Sequence, residues 1–385
     1  MYNYIFNWYH VRMSEKVGFV GWRGMVGSVL RERMLAEGDF DGIEPVFLST
    51  SQAGQAGPTI NGETYALANA SDLVALAGLK AIVTCQGSDY TREIHGKLRD
   101  SGWDGYWIDA ASELRMSDSS VLLLDPVNRK QIDKALDSGV KDLIGANCAS
   151  SLQLMGLAGL FQNDIIEWAN PNTYQAVSGA GARHVTELLR QMRSISQATA
   201  DIADDDPAAT LTRLDRISDT LRSADLPTDY FNHPIAGNVL PWIDKEASNG
   251  QSREEWKAGA EINKILGTSK QSTPIDGLCV RVGSFRSHAQ AVTMKLKRDL
   301  PLNAIENMIS SANEWVKLVP NNRQATLEQL TPVAVSGTLD VAVGRLRKLS
   351  IGPEYLTAFV VGDQLLWGAT EPLRRALNIV IDRSE

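Results

Sequence analysis

Short apolar runs alternate with segments of helical periodicity through the first part of the chain. Residues 17–20 (Val-Gly-Phe-Val) form one run, and Val26, Val29, Leu30 and Met34 then recur at helical spacing until Gly38 punctuates the segment. Strand-like runs follow at 45–48, 81–84, 106–110, 121–124 and 143–144, separated by helical patterns around 90–100 and 129–138. This alternation predicts an α/β unit with a parallel, doubly wound sheet of the Rossmann type.

After Cys148 the pattern changes. Residues 152–161 form an apolar, glycine-spaced helix, and 182–222 read as largely helical, interrupted by an acidic loop or helix start at 204–207. Residues 292–297 alternate with period two, the mark of a half-buried antiparallel strand. The second unit is therefore expected to be α+β. A final helix from Thr370, with Pro372 just inside it, carries Leu373, Ala376, Leu377 and Val380 on one face and is expected to pack back on the first unit. The expected division is 13–147 with 369–385 as the cofactor-type unit and 148–368 as the catalytic unit. Residues 1–12 (MYNYIFNWYHVR) are aromatic-rich, lack the features of a secretory leader and precede a strand almost at once, so they read as an extension outside the fold.

Composition narrows the class. The 385 residues are 43% hydrophobic and 22% charged, ordinary values for a globular chain long enough for two or three domains. Lys and Arg total 38 against 46 Asp and Glu, a net charge of −8, which lacks the basic field of a nucleic-acid binder. No apolar run reaches the length of a membrane span. The three cysteines, Cys85, Cys148 and Cys279, have neither metal-ligand spacing nor the makings of a disulfide framework, which points to a reducing, cytoplasmic setting and no metal.

Gly21, Gly24 and Gly27 form G-x-x-G-x-x-G between a predicted strand and a predicted helix, where backbone can approach a pyrophosphate at a helix N-terminus. A tight turn alone would also use such glycines. About 20 residues on, where an NAD-binding fold places Asp or Glu against the ribose 2′-hydroxyl, stand Ser49, Thr50 and Ser51. These tolerate a 2′-phosphate, towards which Arg23 can reach, so the loop favours NADP.

Cys148 follows a Gly-Ala-Asn turn and precedes Ser150 and Ser151, read as caps of the apolar helix; a helix N-terminus would stabilise its thiolate and make it a nucleophile. Burial as a small hydrophobe is the alternative, and the preferred reading for Cys279 and Cys85. Of five histidines (His10, His95, His184, His233, His288), His288 has some support, because Arg281 and Arg286 lie close before it and suit an anionic substrate. Glu254 and Lys257 share a helical face, by default as an exposed salt bridge.

Seven segments, VGFVGWRGMVG (17–27), TCQGSDY (84–90), GANCASS (145–151), YQAVSGAGARH (174–184), REEWK (253–257), CVRVGSFRSH (279–288) and VGDQLLWGATEPLRR (361–375), occur in this order. Together they resemble the aspartate-β-semialdehyde dehydrogenases of Gram-negative bacteria, nearly end to end from about Met13. The resemblance implies reductive dephosphorylation of L-4-aspartyl phosphate by NADPH, giving L-aspartate 4-semialdehyde and phosphate on the route to lysine, diaminopimelate, threonine and methionine, by a cytoplasmic homodimer. The 182–222 region is expected to form part of the dimer interface.

By the same resemblance Cys148 matches the nucleophile and His288 the acid/base. Arg281 matches the partner of the substrate carboxylate, Glu254 that of its amino group, Lys257 and Arg115 the phosphate-binding positions, and Gln175 the residue that orients the substrate. Gly21, Arg23, Gly24, Met25, Val26, Thr50, Ser51, Gln86 and Gln364 match cofactor positions, with Ser178 and Gly179 in a crossing loop. Ala146 and Ala149 depart from the usual Gly and Thr without removing a charged or nucleophilic group. A thiol suits the chemistry, being both a strong nucleophile and a good leaving group, and backbone N–H groups near Asn147 and Cys148 are candidates to hold the oxyanion. Rival readings are an N-acetylglutamyl-phosphate or glyceraldehyde-phosphate type of reductase, against which the Glu254–Lys257 pair argues, or a non-catalytic scaffold. Arg281 and His288 are seven apart, so a regular strand would set them on opposite faces; a bend is expected within 283–287.

Overall fold

The computed structural model describes residues 14–202 and 207–383. The expected extension and residues 204–206 of the expected acidic loop lie outside the described residues. Strands β1 (Glu15–Val20), β2 (Ile43–Ser49), β3 (Ala56–Ile60), β4 (Glu63–Ala66), β5 (Ala68–Asn69), β6 (Ala81–Thr84), β7 (Tyr106–Asp109), β8 (Ser120–Leu123) and β9 (Asp142–Gly145) come first. Apart from the β3–β4 hairpin they form one parallel sheet in the order β5-β2-β1-β6-β7-β9-β8. Connecting helices are α1 (Met25–Glu37), α2 (Leu73–Ala77), α3 (Ser88–Asp100) and α4 (Asp125–Asp137). Strand order reverses between β1 and β6, and such a switch point is where an open α/β sheet binds its ligand, at the carboxyl ends of the strands.

From Cys148 the chain builds a second sheet of β10 (Ile166–Gln175), β11 (Val239–Leu240), β12 (Cys279–Val282), β13 (His288–Leu296), β14 (Val316–Leu318), β15 (Val341–Leu349) and β16 (Gly352–Gly362), ordered β11-β12-β10-β13-β16-β15-β14 and mixed in direction. Its helices are α5 (Cys148–Gln162), α6 (Ala182–Ala198), α7 (Thr210–Arg222), α8 (Arg253–Leu266), α9 (Leu302–Ser310), α10 (Arg323–Gln329) and α11 (Pro332–Val335). The fold is thus a Rossmann-type α/β unit joined to an α+β unit, as the apolar patterning predicts.

Two features place the site. Helix α5 is buried from Ala149 to Phe161, because its glycines admit neighbours on several sides: a Cβ on Gly159 would lie 1.8 Å from the Met308 carbonyl oxygen, and one on Gly156 2.8 Å from Val360. The last helix, α12 (Glu371–Asp382), returns to the first sheet, where Leu373, Leu377 and Val380 pack with Val17, Phe19, Val83 and Ile108. A π-helical turn, Leu366–Thr370, precedes α12 and touches both α1 and α5, at the junction of the two units.

Candidate active site

The end of β10 gathers the chemistry. β12 runs parallel to β10 on one side, placing Arg281 opposite Gln175, while β13 runs antiparallel on the other, placing Ala289 opposite Tyr174. Residues 283–287 cross the end of β10, with Ser287 in the left-handed region at φ 70°. This is the bend expected from the spacing, and it brings Arg281 and His288 to one end of the sheet instead of opposite faces. Gly179 lies over them: a Cβ there would sit 2.9 Å from His288 Cε1 and 3.1 Å from Arg281 Nη1.

Cys148 opens α5 and its Sγ lies 3.3 Å from His288 Nε2. The Ala176 N–H donates to His288 Nδ1 at 3.1 Å. A nitrogen that accepts carries no proton, so the neutral ring holds its proton on Nε2, aimed at the sulfur. His288 is therefore set to donate to Sγ, and an imidazolium, which needs a proton on Nδ1, would meet the Ala176 N–H. Burial, then the charge of Arg281, pull the imidazole down to about 3 against the pull of Glu254. His288 is therefore neutral at neutral pH and adds no positive charge beside Arg281. Nor is Arg286 part of a cationic cluster in the cleft, because it pairs at 2.7 Å with the buried Asp363.

Two expectations about the thiol need correction. Asn147, not Ser150 or Ser151, caps α5: its Oδ1 accepts from the Ala149 N–H at 2.9 Å and the Ser150 N–H at 3.3 Å. The serines sit inside the first turn, buried, because the cap must precede the first helical residue. The thiol is also not lowered in the free protein. Burial, reinforced by Glu254, pushes it up to about 11 against the opposing charges of Arg115, Arg281 and Lys257. Cys85 and Cys279 are raised to about 12, chiefly by burial.

Helix α8 supplies the next layer. It begins with a capping box between Ser252 and Glu255, which fixes the first turn and turns Glu254 and Lys257 towards Cys148. This pair is not an exposed surface bridge. Glu254 is 7% exposed and accepts from Lys257 Nζ at 2.8 Å, Asn147 Nδ2 at 2.6 Å and Gln175 Nε2 at 3.1 Å. Burial alone would raise its carboxyl, but Lys257, Asn147 and Gln175 outweigh it and bring the group down to about 2. Lys257 also donates to Asp244 at 3.0 Å. Arg115 donates through Nε to the Gly145 carbonyl at 2.8 Å and through Nη2 to the Ala110 carbonyl at 3.1 Å. Cys148, Arg115, Gln175, Glu254, Lys257, Arg281, Ser178, Gly179, Gln364 and Val26 line one cleft of about 270 Å³. One suggested oxyanion donor is not free: the Asn147 N–H is held by Glu261 at 2.6 Å. The Cys148 N–H, in the first helical turn, remains.

The nucleotide-binding positions continue from this cleft along the carboxyl edge of the first sheet. Gly21 has φ 75°, and a Cβ on it would strike the Cys85 carbonyl carbon and the Gln86 nitrogen at 2.6 Å. A Cβ on Gly27 would lie 2.3 Å from the Gly21 carbonyl oxygen, so this glycine is a packing requirement of the turn. Gly24 caps α1 without a side-chain bond, leaving the N–H groups around Met25 and Val26 to an outside acceptor. Thr50 and Ser51 follow β2, and Arg23 donates to the neighbouring Gln52. Gln364 accepts from the Ser287 N–H at 2.7 Å and donates to Ser178, linking the crossing loop to the bend before His288.

The groups that line this cleft are largely those that the motif resemblance nominates, with exceptions that matter. Glu261, Asp244 and Gly368 were not singled out. Glu261 had a usable signal, seven residues after Glu254 on the same helical face; the others come near only through the fold.

A nucleotide-type Rossmann unit joined to a cleft built around a half-buried thiol defines a two-domain oxidoreductase. The profile of the semialdehyde dehydrogenase NAD binding domain matches residues 16–135, and that of the semialdehyde dehydrogenase dimerisation domain matches 157–367. The chain is 48% identical to the aspartate semialdehyde dehydrogenase of Francisella tularensis, covering 95% of this chain and 99% of that one with a TM-score of 0.91. It therefore belongs to the semialdehyde dehydrogenase family, on its aspartate semialdehyde dehydrogenase branch. The fold is shared more widely. Aspartate semialdehyde dehydrogenase II of Vibrio cholerae, complexed with ASA, is 22% identical over 96% of this chain and 98% of its own, with a TM-score of 0.77. The Candida albicans enzyme with NADP is 16% identical over 96% and 97%, at 0.62.

Proposed function

We propose that this chain converts L-4-aspartyl phosphate and NADPH to L-aspartate 4-semialdehyde, phosphate and NADP, as a cytoplasmic homodimer serving lysine, diaminopimelate, threonine and methionine synthesis. The observation that carries this reading is the arrangement around one sulfur. Cys148 and His288 are in contact, a buried carboxylate (Glu254) suits an amino group, Arg281 suits a carboxylate, and Arg115 with Lys257 suits a phosphate. The exposed Leu189 and Met192 of α6 and Leu211 and Leu214 of α7 support these helices as part of the subunit interface. Residues 13–147 with 369–385 would form the nucleotide-binding unit and 148–368 the catalytic unit.

The Cys148 sulfur attacks the acyl carbon, and the proton of its thiol leaves with the departing phosphate, as the hydrogen phosphate dianion, towards Arg115 and Lys257, leaving a thioester. A nicotinamide dinucleotide held along Gly21, Gly24 and the N-terminus of α1 would supply the hydride that this carbon needs. The resulting oxyanion is held by the Cys148 N–H and by His288 Nε2–H, and its collapse breaks the C–S bond to release aldehyde and thiolate. The thiolate takes up a proton from water, and His288 Nε2–H donates to the sulfur again. In this order the imidazole never has to become a cation, in keeping with its depressed pKa.

The residues present fit a dinucleotide: Gly21 and Gly27 are required by close backbone contacts, and the N-terminus of α1 is open. The lack of a carboxylate among Ser49, Thr50 and Ser51, with Arg23 alongside, favours the 2′-phosphate of NADP. A steady-state assay in the phosphate-dependent reverse direction tests both points. L-aspartate semialdehyde is expected to turn over with NADP and to be preferred over N-acetylglutamate semialdehyde. Turnover of the acetylated compound alone would overturn the substrate, and equal efficiency with NAD would overturn the nucleotide.

A further inference from the structure

Glu261 lies outside the roles described above, yet it is 1% exposed and joins two parts of the cleft. Its Oε1 accepts from Arg115 Nη1 at 3.2 Å and its Oε2 from the Asn147 N–H at 2.6 Å. Arg115 stands on the loop after β7, in the first sheet's unit, whereas Asn147 precedes Cys148 and Glu261 is on α8. One turn further along α8, Lys264 Nζ donates to the carbonyls of Arg115 and Ser117 at 2.7 and 2.6 Å. The same helix face therefore holds both the backbone and the guanidinium of Arg115.

We propose that Glu261 is a positioning residue for the phosphate step, resting on the reading of Arg115 as a phosphate ligand. Arginine has five N–H donors in a fixed plane. Three are satisfied by the Gly145 carbonyl, the Ala110 carbonyl and Glu261, which sets the plane and leaves two donors for an anion in the cleft. The second oxygen of Glu261 fixes the peptide from which the α5 cap and Cys148 follow. The carboxylate thereby sets the distance between phosphate and sulfur, the coordinate along which the acyl phosphate is cleaved or re-formed. Glutamine at 261 has the same shape but only one acceptor. Its amide NH2 must face either the Arg115 N–H or the Asn147 N–H, so one of the two contacts becomes donor against donor.

The test is Glu261→Gln beside Arg115→Ala and the unaltered chain, each assayed in the reverse direction with phosphate, semialdehyde and NADP varied in turn. For Glu261→Gln the KM for phosphate is expected to rise at least about tenfold, equivalent to about 1.4 kcal/mol. The KM for semialdehyde and the Kd for NADP, read by fluorescence, are expected to move less than about threefold. Glu261→Asp, which keeps both acceptors on a shorter arm, is expected to recover part of the phosphate KM. An unchanged phosphate KM in Glu261→Gln, with a raised one in Arg115→Ala, overturns the role of Glu261 alone. An unchanged phosphate KM in Arg115→Ala overturns the reading of Arg115 beneath it. A uniform loss across all three ligands also counts against the proposal, because it marks general damage to the fold.

Discussion

At the scale of single residues, the cleft holds its charges by exchanging water for protein partners, and the thiol is the group that pays. Cys148 faces three cations, but Glu254 and burial prevail and the sulfur rests protonated, at about 11. A raised thiol pKa means the thiolate fraction grows with pH throughout the neutral range. Alkylation of Cys148 by iodoacetamide in the free protein should therefore accelerate about tenfold per pH unit, with no inflection near 6.5 where an ordinary histidine titrates. An inflection there would show that His288 ionises in the neutral range. Glu254→Gln removes the carboxylate that raises the thiol and should make alkylation at neutral pH faster; a slower reaction would contradict this electrostatic account. Peptide mass spectrometry assigns the modified cysteine. Its place before a predicted helix is enough to nominate Cys148, whereas Glu254 and Lys257 read locally as a surface pair and are nominated only by the resemblance. The sign of the thiol shift does not follow from that place, since a helix N-terminus lowers a thiol only where burial does not outweigh it, and burial is a property of the assembled fold.

At the scale of elements, the π-helical turn before α12 sets how close the two units come at the nucleophile. Gly368 lies in that turn, and a Cβ on it would be 2.8 Å from Cys148 Cβ and 3.1 Å from its Cα. π-helical turns often mark functional sites, and here the turn brings backbone against backbone. Gly368→Ala should displace Cys148 relative to His288 and lower kcat by about a hundredfold, the scale of effect expected for an ångström of misplacement. Unchanged NADP affinity would show that the nucleotide edge is intact, whereas an unchanged kcat would mean that the turn tolerates the methyl group. Six of the seven strands of the first sheet are legible as short apolar runs bounded by turn residues; the two-residue β5 (Ala68–Asn69) is not. Those of the second are mostly not. Pro171 and three asparagines or glutamines interrupt the pattern of β10, yet it lies inside the sheet. Proline is tolerated at 171 because the neighbouring chain bonds β10 through the N–H groups of Ala169 and Thr173, to the carbonyls of Pro274 and Leu278, while the Asp276 carbonyl between them accepts from the Asn170 side chain.

At the scale of the whole molecule, the last helix closes the first domain. Arg374 bridges Glu371 at 3.0 Å and Asp39 at 2.9 Å, Arg33 also binds Glu371, and Arg375 grips Asp125 at 2.7 Å. Glu371 is 1% exposed, so Glu371→Ala should strip a buried partner from two arginines and cost about 3 kcal/mol, read as a lower urea midpoint with an unchanged m-value. A loss below about 0.5 kcal/mol, the size of an ordinary surface effect, would show that the two arginines find other partners. The apolar stripe of α12 reveals that it packs, but its ion pairs to Arg33, Asp39 and Asp125 join residues 338, 335 and 250 positions apart and leave no local trace. This closure also bears on how the protein is made. The last strand of the first sheet ends at Gly145 and α12 begins at Glu371, so roughly 10–45 s of synthesis separate them at the usual elongation rates. Throughout that interval the sheet face of Val17, Phe19, Val83 and Ile108 lacks its α12 cover, and folding of the first domain finishes only after translation of the second.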